Sequence, residues 1–271
     1  MLLCCLLFAG MGACFRAAAL EGLPVPLLPF ARGLVTMLVV LPWLLRNGFG
    51  DLHTRKPGLH LLRCAAGLVG FFLGMLAILW LPLADAVAIM HARPLWALPL
   101  AVLLLGERIG WDRAIAAAVG FMGVLIIAGP QGELSAGTLA AVGGGIAGAL
   151  VLIAVKMLSG TEPPFRVVAW YAIASVVVWG PVSALAWVRP STTAILLLVG
   201  GSALAIGGDF CASWAARRAP IAVLAPIEYS QIPAAALLGA LFFAEAPGWS
   251  LLWGSLVMLA ATLYIARSAG R

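Results

Sequence analysis

Charged residues are scarce in this chain. Lysine, arginine, aspartate and glutamate together make up 10% of its 271 residues, whereas a soluble domain carries about 25%. Hydrophobic residues make up 64%, and the mean hydropathy is +1.12. A water-soluble fold of this length cannot bury so much apolar material. The composition therefore excludes a soluble protein and indicates an integral membrane protein in contact with a lipid bilayer.

The motifs of several function classes are missing as well. The sequence has no HExxH pair, no Gly-rich loop ending in Gly-Lys, and no Ser–His or Asp–Asp constellation at membrane depth. No exposed basic domain accompanies the net charge of +6, so we expect no nucleic-acid partner. We also expect no metal and no cofactor. Five cysteines lie in apolar runs without ligand spacing and should pack as small hydrophobic residues: Cys4, Cys5, Cys14, Cys64 and Cys211.

Ten apolar segments are each close to the roughly 20 residues that cross a bilayer core. They cover residues 2–19, 25–45, 60–80, 84–105, 114–130, 139–158, 165–187, 191–214, 220–243 and 248–266. The sequence predicts an all-α fold of ten transmembrane helices.

The two halves of the chain are copies of one unit. A shift of 138 residues aligns Pro82 with Pro220, Ala84 with Ala222, Glu107 with Glu245 and Trp111 with Trp249. We therefore predict two five-helix domains, residues 1–133 and 139–271. Because five is odd, the second copy enters the membrane from the opposite side. Inverted repeats of this kind are typical of secondary transporters, whose binding sites lie near the midplane.

The basic residues predict the orientation. If both termini are cytoplasmic, twelve of the sixteen lysines and arginines lie in cytoplasmic loops or helix ends, and one, Arg189, lies outside. The reverse orientation would contradict the positive-inside rule.

The segment "LPLADAVAIMHARPLWALPLAVLLLGERIGWDRAIAAAVGFMGVLIIAGP", residues 81–130, carries a family pattern: a mid-helix proline, an "LLGE" exit and a "GFxGVLII" closing helix. It resembles the EamA-type transporters of the drug/metabolite transporter superfamily, and is most similar to their S-adenosylmethionine uptake branch. The second copy extends the resemblance more weakly over the whole chain. The resemblance implies a ten-helix carrier of small polar metabolites in the inner (cytoplasmic) membrane.

Two charges fall in the middle of equivalent spans. A charge at the bilayer centre costs roughly 2.5–3.5 kcal/mol, so it needs a reason. The offset maps Arg93 onto Gln231 and Met90 onto Glu228. We expect Arg93 and Glu228 to meet, either as a structural ion pair or as the two ends of a site for a zwitterion. Low-dielectric surroundings favour an uncharged carboxyl group, which makes Glu228 a candidate carrier of a coupling proton.

The neighbours of these charges are further candidates for substrate binding. Gln231 lies three residues after Glu228 and shares its helical face. His91 is about 200° from Arg93 around a helix. We therefore expect His91 to pack against a neighbouring helix with one ring nitrogen bonded, unless Pro94 distorts the helix. Tyr229 and Trp96, from the same two spans, complete this group.

A second group combines charges with aromatic rings. Asp209 is an intramembrane acid, which either binds substrate or an ion, or pairs with Arg32 or Arg16. Arg32 follows a proline-rich segment and lies either in the cavity wall or near the interface. Its repeat equivalent is Trp170, followed by Tyr171, and such rings suit either an ammonium site or an aromatic belt.

Glu107 and Glu245 are conserved between the two copies but end up on opposite membrane faces. They cannot form a catalytic pair, and we expect each to stabilise a helix end by binding backbone and basic groups.

These features predict a secondary transporter, driven by a gradient or by exchange, for a small amine-bearing or zwitterionic metabolite. The alternative is a membrane-embedded enzyme acting on a lipid or peptide. The sequence leaves open the coupling ion, the direction of transport and whether the protein forms a homodimer.

Overall fold

The computed structural model describes residues 1–105, 110–128, 135–159, 161–216 and 227–268, and within these ranges it is helical without strands. A short 3₁₀ turn, Phe49–Leu52, follows the second helix. The α-helices are α1 Leu2–Leu20, α2 Leu27–Asn47, α3 Pro57–Trp80, α4 Leu83–Met90, α5 Arg93–Leu105, α6 Trp111–Ala128, α7 Ala136–Ser159, α8 Pro164–Leu185, α9 Thr192–Ala216, α10 Gln231–Phe243 and α11 Trp249–Ser268.

The predicted ten-helix architecture is confirmed. Within the described ranges, nine stretches are long and apolar enough to cross a membrane, with α4 and α5 counting as one stretch, Leu83–Leu103. The thirteen residues of α10 form the described part of the remaining span. Large apolar side chains are exposed all around the bundle, as expected of a surface that faces acyl chains rather than water.

Helix ends follow local backbone chemistry. Pro57 and Pro164 open α3 and α8, where a missing N–H costs no helical hydrogen bond. Gly48, with φ of 83°, ends α2 in a conformation that only glycine adopts freely. Ala244 ends α10 in the left-handed region, with φ of 54°, which costs a non-glycine residue roughly 1–2 kcal/mol.

The helix contacts obey the 138-residue offset. α2 packs on α8 and α6 on α11, and each of these pairs joins repeat equivalents. The contact of α3 with α7 has its counterpart in that of α9 with α1. A helix can contact its own repeat equivalent only where both lie at the two-fold axis that relates the halves. These helix contacts are therefore the ones expected of two inverted repeats.

Small residues allow the closest of these contacts. A Cβ placed on Gly123 would lie 2.7 Å from the carbonyl oxygen of Gly254, and one on Gly254 would lie 2.6 Å from that of Gly123. On the other side of the bundle, a Cβ on Gly70 would lie 2.9 Å from that of Ala147. In a bilayer, such backbone approach replaces the hydrophobic effect as the main source of helix association.

The fourth span is broken in its middle. α4 ends at Met90 and α5 begins at Arg93, with His91 and Ala92 in a turn between them. Pro94 explains the break, because it has no N–H to bond the Met90 carbonyl and its ring clashes with that group.

The equivalent span of the second half is broken at the equivalent place. Tyr229 and Ser230 form a turn, and α10 begins at Gln231. Pro233 acts on the Tyr229 carbonyl as Pro94 acts on that of Met90. The two breaks are therefore a property of the repeat.

Candidate functional site

The two helix breaks meet at the centre of the bundle. The hydroxyl of Tyr229 lies 2.8 Å from Thr262 Oγ1 and 3.4 Å from the carbonyl oxygen of His91. The rings of His91 and Tyr229 have centroids 6.1 Å apart. These two residues are repeat equivalents, so their contact lies on the two-fold axis.

The structure places His91 in the packed centre. The residue is buried, and its Nδ1–H donates to the Val87 carbonyl at 2.8 Å. The side chain of Gln231 lies beside it. A buried ring with one nitrogen bonded to the backbone is the arrangement expected of a histidine that packs between helices.

Arg93 and Glu228 do not form the structural ion pair that was one of the two alternatives from the sequence. Among the residues that the structure describes, neither side chain has an ion pair or hydrogen bond with any other. The stem of Arg93 packs on Gly148 of α7. Glu228 lies beside α1, where the thiol of Cys5 donates to the Glu228 carbonyl at 3.8 Å.

The inverted symmetry explains why the two charges do not pair. Met90, the repeat equivalent of Glu228, points its Cε at Gly74 of α3. The equivalent direction from Glu228 leads towards α9 and α1. Arg93 and Glu228 thus face opposite sides of the axis contact, and both are partly exposed. Each charge remains free to bind another molecule.

Trp96 lies one turn beyond Arg93. Its ring packs against Phe121 of α6 with centroids 4.4 Å apart, and its Cδ1 would lie 3.6 Å from a Cβ on Gly145. The indole Nε1 is buried and has no hydrogen-bond partner.

The second predicted group lies between α2, α3, α8 and α9. A nitrogen of Arg32, Nη2, lies 3.3 Å from Asp209 Oδ2, so the Arg32 alternative for the partner of Asp209 is the one that the structure shows. The guanidinium lies over the rings of Phe71, at 4.6 Å, and Tyr171, at 5.9 Å.

This group lies level with the middle of α8. The hydroxyl of Ser175, halfway along α8, donates to the Pro29 carbonyl at 2.9 Å, so α2 begins opposite the middle of α8. The Asp209 side chain is 58% exposed.

Trp170 does not contact Arg32, its repeat equivalent. Its indole N–H donates to the Leu52 carbonyl at 3.1 Å, and its ring lies 5.4 Å from that of His60. Neighbouring positions on a helix point about 100° apart, so Tyr171 can face Arg32 while Trp170 anchors α8 to the 3₁₀ turn.

Arg63 is the residue that sequence analysis missed. Arg63 is one of the twelve basic residues that the orientation argument assigns to cytoplasmic loops or helix ends, yet its guanidinium lies over the Tyr171 ring at 4.4 Å. Its Nε and Nη1 are buried without hydrogen-bond partners. Its position six residues into α3, about 9 Å along the axis, is the signal that could have revealed it.

Glu245 stabilises its helix end as predicted. Its Oε1 lies 2.6 Å from Arg16 Nη1, and its Oε2 accepts the Leu83 N–H at 2.8 Å. Arg16 also donates to the Leu81 carbonyl and lies over the Phe243 ring. This network, which we call the Glu245 latch, joins α1, the α3–α4 connection and the end of α10. Glu107, its repeat equivalent, lies outside the described residues.

Another network joins the opposite ends of the helices. Glu162, between α7 and α8, accepts hydrogen bonds from Thr54 at 2.7 Å and Arg166 at 2.6 Å, and lies 3.8 Å from His60 Nε2. Burial acts to raise the pKa of Glu162, but the hydrogen bonds from Thr54 and Arg166 outweigh it and hold the pKa below its usual value.

A cavity of about 560 Å³ opens between α10 and α11. Its walls are mainly apolar, and Tyr229 lies at its inner end. The hydroxyls of Ser230 and Ser255 in its lining are buried without partners. The cavity therefore connects the lipid-facing side of these helices with the axis contact.

Comparisons with known proteins agree with this architecture. The model of the EamA-like transporter family matches residues 1–129. A protein of Rickettsia felis named S-adenosylmethionine uptake transporter is 31% identical over 245 residues, which cover 87% of this chain and 81% of that one. A Rhizobium johnstonii protein named riboflavin transporter is 31% identical over 238 residues, 86% and 78% of the two chains. A riboflavin transporter of Vibrio cholerae is 27% identical over 266 residues, 96% and 89%.

A solved crystal structure superimposes with a TM-score of 0.62 over 99% of both chains, at 19% identity, which shows a shared fold. The family match and the transporter names of these relatives point to a membrane transporter and not to an enzyme. The chain belongs to the EamA-like transporter family. Its partners are a small-molecule substrate and the lipid bilayer.

Proposed function

We propose that the protein is a secondary transporter of a small zwitterionic or amine-bearing metabolite, an amino acid derivative such as S-adenosylmethionine. The observation that carries the proposal is that Arg93 and Glu228, at equivalent helix breaks, have no ion-pair or hydrogen-bond partner within the described part of the chain. An ion pair at this place would neutralise both charges. Separate charges can instead bind a carboxylate and an amine of one substrate, and each would be costly in a membrane without such a use.

The remaining residues near the axis have supporting roles in this proposal. Gln231 offers an amide beside His91, while Tyr229 and Trp96 bound the space around the breaks. His91 holds the first break through its bond to Val87.

The two halves, residues 1–133 and 139–271, would alternate access by moving relative to each other about the axis. In this proposal, both termini lie in the cytoplasm of a bacterial cell and the protein lies in the inner membrane. Since the sequence has no nucleotide-binding motif, a gradient or exchange drives transport. We assign Glu228 as the carrier of a coupling proton. The variant Glu228→Gln should then lose accumulation driven by a pH gradient in proteoliposomes, and it should retain exchange only at higher substrate concentration because its affinity is reduced.

A binding screen tests the substrate class. A ligand that binds only the folded state raises the unfolding temperature by mass action. The purified protein would be screened against amino acids, S-adenosylmethionine, nucleosides, riboflavin and organic cations. We expect a zwitterion to stabilise the wild type, and Arg93→Ala and Glu228→Gln each to abolish that shift.

Exposed residues of the same types provide matched controls, Arg189→Ala and Glu21→Gln. They should leave the shift unchanged. Stabilisation by zwitterions that persists in both site variants would refute the assigned residues.

Riboflavin is the second candidate substrate, because two of the relatives described above carry that name and Phe71 and Tyr171 present rings in the bundle. A shift with riboflavin that survives Glu228→Gln would favour it over a zwitterion.

A further inference from the structure

Arg63 is a buried cation whose hydrogen-bonding groups are not used. Among the residues that the structure describes, its Nε and Nη1 have no hydrogen-bond acceptor, and its guanidinium lies over the face of the Tyr171 ring. A ring face attracts the guanidinium plane but leaves the N–H groups at its edge unsatisfied. Leaving such groups buried and unpaired is costly, so an acceptor is missing from this position.

Arg32 adds a second cation beside the first. It lies over Phe71 and, at longer range, over the same Tyr171 ring. Its ion pair with Asp209 measures 3.3 Å, longer than the 2.6 Å of Arg16 with Glu245. A well-formed charge-assisted bond measures about 2.7–2.9 Å. Asp209 is therefore a loosely held partner whose carboxylate is largely exposed.

The charges of this cluster do not balance. Among the described residues of this cluster, Arg32 and Arg63 supply two positive charges and Asp209 supplies one negative charge, so one positive charge remains. Asp209 is the carboxylate that acts on the Arg63 guanidinium, and it is shared with Arg32. Between them, the two guanidinium groups can bind one more planar anion through paired N–H groups.

We propose that Arg63 and Arg32 form a subsite for the carboxylate of a soluble organic metabolite, with Tyr171 and Phe71 supporting the guanidinium planes. Asp209 pairs with Arg32 when the subsite is empty, and it competes with the carboxylate of the metabolite for the Arg32 guanidinium. The proposal rests on the proposed transport function and deepens it, because it adds a second anchoring point to the site at Arg93. The cluster lies on the α2–α8 side of the bundle, whereas Arg93 lies at the helix break.

A pair of probes that differ only in charge tests the subsite. Indole-3-acetate and indole-3-acetamide share a ring, and their dissociation constants would be measured by calorimetry on the purified full-length protein. We expect the carboxylate to bind about tenfold more tightly, which corresponds to one charge-assisted interaction. The variant Arg63→Gln should abolish this preference, and Asp209→Asn should increase it because Arg32 is released.

The control is Arg55→Gln, an exposed arginine two residues before the same helix, which should leave the preference unchanged. Equal binding of both probes to the wild type would overturn the proposal, as would an unchanged preference in Arg63→Gln. If Arg63→Gln does not fold, Asp209→Asn decides alone. An unchanged preference in Asp209→Asn would then overturn the proposal, because it would show that Arg32 does not bind the carboxylate.

Two further arms separate the alternatives. Added phosphatidylglycerol that competes away indole-3-acetate would identify a lipid phosphate as the occupant and refute a soluble metabolite. The variant Arg93→Ala should retain the carboxylate preference while it loses the response to zwitterions. Failure of the zwitterion screen with an intact carboxylate preference would refute the proposed substrate class and not the subsite.

Discussion

The Glu245 latch allows a quantitative prediction, because its contacts are short and specific. Glu245 binds a cation at 2.6 Å and a backbone N–H at 2.8 Å, and the side chains of Arg16 and Glu245 are only 13% and 16% exposed. Removal of one partner from a buried ion pair costs about 3–5 kcal/mol. Glu245→Ala removes the partner of Arg16 and also leaves the Leu83 N–H unsatisfied, so the full range applies.

The magnitude translates into an unfolding temperature. For a chain somewhat larger than 150–250 residues, 1 kcal/mol corresponds to roughly 2–4 °C. We therefore expect Glu245→Ala to unfold about 6–20 °C below the wild type in detergent. Tryptophan fluorescence is a suitable signal, since the chain has ten tryptophans.

Three variants separate the contributions. Glu245→Gln keeps an acceptor for Leu83 but loses the charge, so its loss should be smaller. Arg16→Met combined with Glu245→Gln removes both charges and should recover part of that loss, because no unpaired cation remains. Glu21→Gln, an exposed glutamate bound to Ser191, should shift the temperature little. Equal stability of Glu245→Ala and Glu21→Gln would refute the latch.

Three further predictions concern other parts of the bundle. The pKa of Glu162 is depressed in the folded state, so its stabilising contribution is complete above the ordinary value of 4.5 and is lost as the pH falls below that value. Unfolding temperatures measured from pH 3 to 6 should therefore fall more steeply with acid in the wild type than in Glu162→Gln. Gly123→Ala should cost about 1–3 kcal/mol, because its Cβ would meet the Gly254 carbonyl and force α6 from α11, and an unchanged unfolding temperature would contradict this close approach. Tyr229→Phe should lower stability by about 1–3 kcal/mol, because it leaves the buried Thr262 hydroxyl without that partner, and equal stability in chemical denaturation would show that the bond is not needed.

The sequence predicts the fold well because membrane spans and repeats are encoded locally. Apolar length determines each span, and the 138-residue offset between His91 and Tyr229 reappears as a direct contact. The break after Met90 could also be anticipated from Pro94. The matching break in the second half follows from Pro233, a signal that becomes clear only once the first break is known.

The partners of the charges were harder to predict. A helical face can be read from spacing, but the direction of that face depends on which neighbour each helix packs against. Arg93 and Glu228 were expected to meet because they share a depth, yet α5 turns Arg93 to α7 and the second half turns Glu228 to α1. Trp170 is likewise aligned with Arg32 by the offset, although a backbone carbonyl binds it elsewhere.

Arg63 shows a different limit. Counting basic residues near helix ends predicts orientation, but it does not separate an arginine in the cytoplasm from one that reaches inwards by a turn and a half. Tertiary contact with Tyr171 makes that distinction. Counting basic residues near helix ends can therefore assign an arginine that faces the inside of the bundle to the cytoplasm.

The central claim is that unpaired charges at two equivalent helix breaks bind a transported zwitterion. Counterflow of labelled S-adenosylmethionine into proteoliposomes preloaded with the unlabelled compound tests this claim most directly. The wild type and the Arg189→Ala control should both accumulate the labelled compound. Arg93→Ala should show an initial rate at least about tenfold lower, because it loses one charge-assisted contact. Glu228→Gln should retain exchange only at higher substrate concentration. Counterflow in Arg93→Ala at the wild-type rate would contradict the central claim.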